Sequence, residues 1–415
     1  MRFAIGLVLG VLAVVAQTPV AASDDPARRA AYSLVRSQLP SGLFTYGFDF
    51  LAGAPLQEDN IVRQVGIVYF LAEFYLHSGD ESVRPAIQTG LSGAGTRSVP
   101  FGKGTLQSVI EHTGVLSLPA GRSKLRGALD RLGLLGRSEG DGKVVTSDNT
   151  SATAFAGTTA LALLAELQYY RASRDDRFAQ LRSAWLKGLL TLHVPRRGFR
   201  LAPRSIEESD YFNGEGWLAL AYYQRLFPQD EAAKSILSAL DAYLMARHGE
   251  QESEAFYHWG TMAAATRFAT TSDASFLKFI KRQAELALNA SWWKSAAPYN
   301  TCGAMEGLVT AVRVLESADA GSETLTQRLR ERIRDEMKKN RRLQIPPGAE
   351  RLQLGRDTYL TSPHLKDYAG AFLEGPFLPS VRIDYTGHCL SAMVKLERYR
   401  LSRSSRERNG LQNFP

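Results

Sequence analysis

The chain has 415 residues, 44% of them hydrophobic, and a formal charge of +8 at neutral pH. That apolar content suffices for one large core or two ordinary ones, which excludes a disordered chain. Two cysteines, Cys302 and Cys389, are too few for a fold built on disulfides.

The chain opens with "MRFAIGLVLGVLAVVAQTPVAASDD", a short basic start, an apolar run of about a dozen residues and then small residues, the pattern of a secretory signal rather than a membrane anchor. Cleavage is expected near Ala22 or Ser23, and no cysteine stands there for a lipid anchor. No later run approaches the roughly 18 apolar residues of a membrane helix, so the mature protein is expected in a periplasm or outside the cell without an integral membrane segment. An oxidising compartment permits a bridge between Cys302 and Cys389, although buried free thiols are also common. The positive balance, concentrated in the tail "RYRLSRSSRERNG", is either a solubilising surface or an attraction for an acidic polymer. Nucleic acid is not an expected partner of an exported chain.

From there helical periodicity runs almost unbroken. Six segments pair a polar or aromatic cluster with a helix rich in Ala, Gly and Leu, at 59–75, 149–170, 211–227, 257–268, 300–316 and 382–399. Between them lie six amphipathic helices with charged faces, roughly 25–38, 81–93, 176–192, 230–247, 273–288 and 321–340. A helix apolar on most sides is buried on most sides, whereas one with a single stripe lies outside. The alternation therefore predicts an all-α ring of six helical hairpins. Its inner helices run the same way and gather their polar N-terminal ends at one mouth. Long connections at 93–149 and 340–382 leave room for short strands such as "GKVVTS" and "RRGFRLAP" to wall that mouth. No linker divides the chain, which gives one domain over 24–400 and a basic tail over 401–415.

The segments "RQVGIVYFLAEFY", "YFNGEGWLALAYY" and "RIDYTGHCLSAM" resemble the (α/α)6 toroids of carbohydrate-active proteins, and within them the bacterial glucuronyl C5-epimerase-like branch. The resemblance covers nearly all of the mature chain as architecture. It implies the toroid fold, a saccharide ligand and a site at the mouth, and it fixes no reaction.

Candidate residues follow from the six helix starts. The first mouth supplies Asp59, Arg63 and Gln64, more suited to binding than to catalysis. At the third, Glu215 stands alone in a run of Gly, Trp, Leu and Ala, where a carboxyl is expensive to bury without a partner, and Tyr211 and Asn213 lie beside it. Early acids there also suit the helix dipole. At the fourth, Tyr257, His258 and Trp259 combine a titratable ring with flat faces for stacking on a sugar, or else pack between hairpins. At the fifth, Asn300 reads as a helix cap, and Glu306 repeats the setting of Glu215 unless it neutralises a buried arginine. At the sixth, Asp384 and His388 share a helical face near Arg382 and Tyr385. Asp384 is then an acid/base or orients His388, with Arg382 gripping a carboxylate; the alternative is an N-cap paired to Arg382 and a core imidazole.

Glycosidic cleavage needs two carboxyl groups across a cleft, and epimerisation or elimination beside a uronate needs an acid and a base on one carbon. The catalytic candidates are thus Glu215, Asp384, His388, His258, Glu306 and Tyr211. The binding candidates are Arg382, Tyr385, Trp259, Tyr257, Asn213, Asn300, Arg63, Gln64 and Asp59. No phosphate loop, dinucleotide fingerprint, H-E-x-x-H or G-x-S-x-G motif occurs, and no spacing supports a metal cage, so neither cofactor nor metal is expected. The expected activity is that of an exported enzyme on a poly- or oligosaccharide, possibly anionic, as an epimerase or a hydrolase. The alternative is a non-catalytic glycan-binding or assembly component of an envelope polysaccharide system. Sugar identity and oligomeric state are not encoded in these patterns.

Overall fold

A computed structural model describes residues 24–101, 142–150 and 153–411, the last eleven of these by backbone alone. The expected secretory signal, 1–23, and the final residues 412–415 lie outside the described residues. In chain order the described helices are α1 (Pro26–Arg36), α2 (Ile61–Ser78), α3 (Arg84–Thr96), α4 (Ala156–Ser173), α5 (Ala179–Leu192), α6 (Asp210–Leu226) and α7 (Glu231–His248). They continue as α8 (Glu254–Thr271), α9 (Ala274–Asn289), the single turn α10 (Trp293–Ala296), α11 (Cys302–Ser317), α12 (Glu323–Arg342) and α13 (Ile383–Leu411).

Helices α2, α4, α6, α8, α11 and α13 pack in succession, and α13 returns to α2, closing a ring. Against them lie α3, α5, α7, α9, α12 and α1 respectively, so the sixth hairpin joins the last long helix to the first. This is an (α/α)6 toroid. Burial explains the two layers. In α8 every residue from Phe256 to Arg267 is buried, whereas α12 buries only Leu325, Thr326, Leu329, Ile333, Met337 and Asn340, one stripe at helical spacing. Capping sets the inner boundaries: Asn60 accepts from the backbone of Val62 and Arg63 to start α2, and Gly79, in the left-handed region at φ 66°, closes it.

The strands are short and serve the mouth. β1 (Gly47–Asp49) lies between β2 (Ala54–Pro55) and β7 (Ser380–Arg382), with Gly47 opposite Arg382. β3 (Ser98–Pro100) pairs with β4 (Lys143–Val145), within the "GKVVTS" stretch, and β5 (Arg351–Gln353) pairs with β6 (Tyr359–Thr361). The "RRGFRLAP" stretch forms no strand. It makes only isolated bridges, His193 to Phe199 and Arg200 to Glu208, because a tight turn with Arg196 at φ 62° occupies it. The backbone of α13 continues through 401–411, so that part of the basic tail is helical.

Candidate functional site

The N-terminal ends of the inner helices surround a cavity of about 620 Å³. Residues spread from Asn60 to His388 in sequence line it, which is the convergence that parallel inner helices impose. Of the sequence candidates, Arg63, Tyr211, Glu215, Tyr257, His258 and Trp259 reach its wall. So do Asn300, Arg382, Asp384, Tyr385 and His388.

Glu215 projects from the second turn of α6 and is 3% exposed. Its Oε2 is buried with no hydrogen-bond partner, and burial pushes the carboxyl well above the ordinary glutamate range. Space for it comes from Gly157 on α4, where an added Cβ would lie 2.2 Å from Glu215 Oε2. Burial therefore favours the protonated form of this carboxyl.

His388 is held differently. His388 Nδ1 lies 2.6 Å from Glu306 Oε1, while Nε2 makes no hydrogen bond with any described residue and the side chain remains 23% exposed toward the cavity. Glu306 lies beneath the wall, fully buried. Burial by itself would raise its carboxyl, but the Lys395 ammonium 3.2 Å away and the bond from His388 outweigh that and hold it down at about 2. An ionised Glu306 fixes the proton of His388 on Nδ1 and leaves Nε2 as the acceptor.

The support extends deeper. Ser391 Oγ donates to Glu306 Oε2 at 2.6 Å and also faces Glu73 Oε2, and Lys395 Nζ donates to Glu73 at 2.7 and 2.8 Å. Burial would lower the Lys395 ammonium, yet Glu73 and Glu306 together raise it. Three inner helices, α2, α11 and α13, thereby meet in one hydrogen-bonded cluster under the cavity floor. The Cys302–Cys389 disulfide ties α11 to α13 beside it, with Cα atoms 4.8 Å apart.

Asp384 is held by two guanidiniums. Arg382 grips it through two bonds, at 2.6 and 2.9 Å, and Arg63 Nε lies 3.1 Å from it. Arg382 also lies over the Tyr385 ring, whose hydroxyl donates to Glu374 at 2.8 Å. Arg63 makes a short bond to Tyr46 and keeps about a third of its side-chain surface exposed.

The aromatic wall is mixed. Trp259 is 2% exposed and packs near His258, Tyr69 and His388, so it offers an edge at most. Burial lowers His258 to about 3, helped by repulsion from His388, and its buried Nε2 has no partner. It is a neutral ring 5.5 Å from His388. The Tyr257 hydroxyl is likewise buried, unpartnered and raised by burial. Tyr211, 45% exposed, is the aromatic face open to a ligand.

Besides Glu306, beneath the wall, three candidates do not reach the cavity. Asn213 turns away to accept from Phe199 N at 2.7 Å and donate to Glu208. Gln64 bonds both backbone groups of Phe44, and Asp59 accepts from Gln64 and from Asn60 N. All three brace loops behind the wall. Asn300 does line the cavity, and its Oδ1 accepts from Cys302 N at the start of α11. The cavity also gains Glu254, Trp292 and Tyr299, which the helix starts did not single out. Among the described residues no three His, Cys, Asp or Glu side chains come together as metal ligands, and no helix is long and apolar enough to cross a membrane.

Neither a protein-family profile nor a curated protein matches the chain. Solved structures do match it in fold. The GH76 alpha-mannanase of Bacteroides thetaiotaomicron superposes with a TM-score of 0.57 at 10% identity, over 91% of this chain and 96% of the other. The alpha-1,6-mannanase GH76A of Salegentibacter, in an inactive variant with two consecutive aspartates replaced and alpha-1,6-mannotetrose bound, gives 0.56 at 11% identity over 90% and 98%. An unsaturated glucuronyl hydrolase specific for heparin gives 0.53 at 10% identity over 90% and 96%. At such identities these matches establish the toroid fold.

Proposed function

We propose that this chain is a saccharide-processing enzyme, and specifically a glycoside hydrolase, with Glu215 as general acid and the Glu306–His388 pair as general base. One observation carries the reading: an unpartnered buried carboxyl, which burial biases toward its protonated form, and an imidazole tied to an ionised carboxylate open onto one cavity. Two groups of opposite protonation facing one space are what general acid/base catalysis requires. In the proposed step Glu215 gives its proton to the glycosidic oxygen as the bond to the anomeric carbon breaks. A water adds to that carbon while His388 Nε2 takes its proton, and Glu306 steadies the imidazolium. Asp384, an anion at the same wall, is placed to favour positive charge developing on the sugar ring.

Hydrolysis ranks above uronyl epimerisation because the guanidiniums that would grip a uronate are already engaged by Asp384. Arg63, partly exposed, keeps an anionic saccharide within the reading as substrate. The structural neighbours support the class, being two alpha-mannanases and a glucuronyl hydrolase. The likeness stops short of mannanase chemistry on paired aspartates. The two consecutive aspartate pairs of this chain, Asp24–Asp25 and Asp175–Asp176, both lie off the cavity. A purely binding role accounts poorly for Glu215, since an unpartnered buried carboxyl costs stability that amides and aromatics would not. Action outside the cytoplasm is supported by the leader-like N-terminal sequence and by the disulfide.

The test is incubation of the protein with neutral and uronate-containing oligosaccharides in deuterated water, followed by NMR of the products. New reducing ends are expected. Deuterium at C5 without cleavage would replace hydrolysis by epimerisation, unsaturated ends would mean elimination, and unchanged saccharides across the panel would leave the binding reading.

A further inference from the structure

A second cavity, about 730 Å³, lies away from the mouth, between α12 and α13. Its floor is apolar and buried, formed by Ile333, Met337, Leu396 and Tyr399. Its rim carries six cations, Arg330, Arg334, Lys338, Arg341, Arg342 and Arg400, and among the described residues no carboxylate lines it. Arg330 is bound to Glu316 and Arg334 to Asp335. Lys338, Arg341, Arg342 and Arg400 are exposed and make no ion pair or side-chain hydrogen bond with any described residue. Like charges gathered around an apolar slot repel one another unless an anion settles among them.

The fold explains why the slot is open. Each inner helix is covered by an outer one, but α1, the cover of α13, has 11 residues where the other outer helices have 13 to 20. No α1 residue lines the groove. The beginning of α1 nevertheless reaches the same edge: Gln344, two residues beyond Arg342, donates to Pro26 O at 2.9 Å and accepts from Arg29.

We propose that this groove is a docking surface for an anionic lipid bilayer, the rim cations meeting phosphate headgroups and the apolar floor receiving part of an acyl chain. Charge complementarity selects an anion, since four of the six rim cations pair with no described carboxylate. The apolar floor selects an amphiphile over a soluble polyanion, which would need polar partners along its length. Docking here is separate from saccharide chemistry, as the groove shares no lining residue with the mouth cavity.

The test is sedimentation of the chain from Asp24 to Pro415 on vesicles of phosphatidylcholine alone and of phosphatidylcholine mixed with phosphatidylglycerol. Binding is expected only to the mixed vesicles and should weaken as salt rises. Each surface cation is worth roughly five-fold in partitioning onto an anionic leaflet, so the triple variant Lys338→Gln, Arg341→Gln, Arg342→Gln should bind about 100-fold more weakly. A control triple, Lys278→Gln, Arg356→Gln, Lys366→Gln, removes equal charge from exposed positions elsewhere and should bind as the parent does. Absence of binding to the mixed vesicles overturns the proposal, as does equal weakening in both triples. Retention on heparin that the groove triple loses, without retention on vesicles, assigns the groove to a soluble polyanion and also overturns it.

Discussion

Glu306 and His388, 82 residues apart in sequence, meet at 2.6 Å across the junction of α11 and α13. The contact converts two isolated polar residues in apolar helices into one unit: the carboxylate sets the tautomer, and the imidazole presents Nε2 to the cavity. If they act as a unit, their contributions are not additive. Glu306→Gln and His388→Gln should each lower turnover by about 10²–10⁴-fold, and the double variant should be little worse than either alone. Steady-state kinetics on one oligosaccharide substrate checks this; multiplying losses would mean independent roles.

Glu306 also leaves a mark on stability. Its folded carboxyl, at about 2, lies below the ordinary 4.5, so the stabilisation it brings is present above about pH 4.5 and is lost as pH falls toward 2. That difference corresponds to about 3 kcal/mol. Urea unfolding across this window should show the parent losing that much relative to Glu306→Gln, and parallel pH profiles would contradict it.

Glu215 predicts the opposite sign. Its folded carboxyl is raised, so its contribution is present below the unfolded value near 4.5 and is lost as pH rises through the folded value. Glu215→Gln should therefore melt close to the parent at pH 4 and above it at pH 8. A melting difference that shrinks with rising pH would show that the carboxyl is charged in the fold.

Lys395 stands between Glu73 and Glu306 with 11% of its side chain exposed. Replacing it with methionine leaves two buried carboxylates facing each other and should cost about 3–5 kcal/mol. The loss should be smaller when Glu73→Gln is added, since one uncompensated charge is then removed. Chemical denaturation of the single and double variants gives both numbers, and a Lys395→Met chain as stable as the parent would refute the cluster.

The fold was legible because small and apolar residues around a whole helix are a strong statement about burial, and six such helices alternating with striped ones leave few arrangements. The site was legible in outline for a related reason. A lone acid in an apolar run, as at Glu215 and Glu306, advertises a polar interior. The same signal marks Glu73 in "FLAEFY" and Lys395 in "AMVKLE", which sequence reading passed over because both lie mid-helix rather than at a mouth. Asn213 and Gln64 had the right height and the wrong azimuth, since a turn of about 100° per residue separates the cavity wall from the loops behind it, and Asp59 precedes α2 and accepts from Gln64. Trp292 and Tyr299 come from an irregular connection around α10, whose path periodicity does not encode.

The disulfide is a further consequence of the ring. Cys302 and Cys389 close a loop of 87 residues, for which chain entropy predicts about 5 kcal/mol. Cys302→Ala with Cys389→Ala should lower the urea midpoint accordingly and make it insensitive to reductant. Unchanged stability would show that the bridge constrains nothing.

The central claim is that a proton donor and a proton acceptor share one saccharide-binding cavity. It is tested most directly by measuring, for Glu215→Gln and His388→Gln, both turnover and the calorimetric dissociation constant of the same oligosaccharide. The account predicts that each variant loses turnover by at least about 100-fold while its affinity stays within a few fold of the parent. Turnover surviving in both variants, with the saccharide still bound, would contradict it.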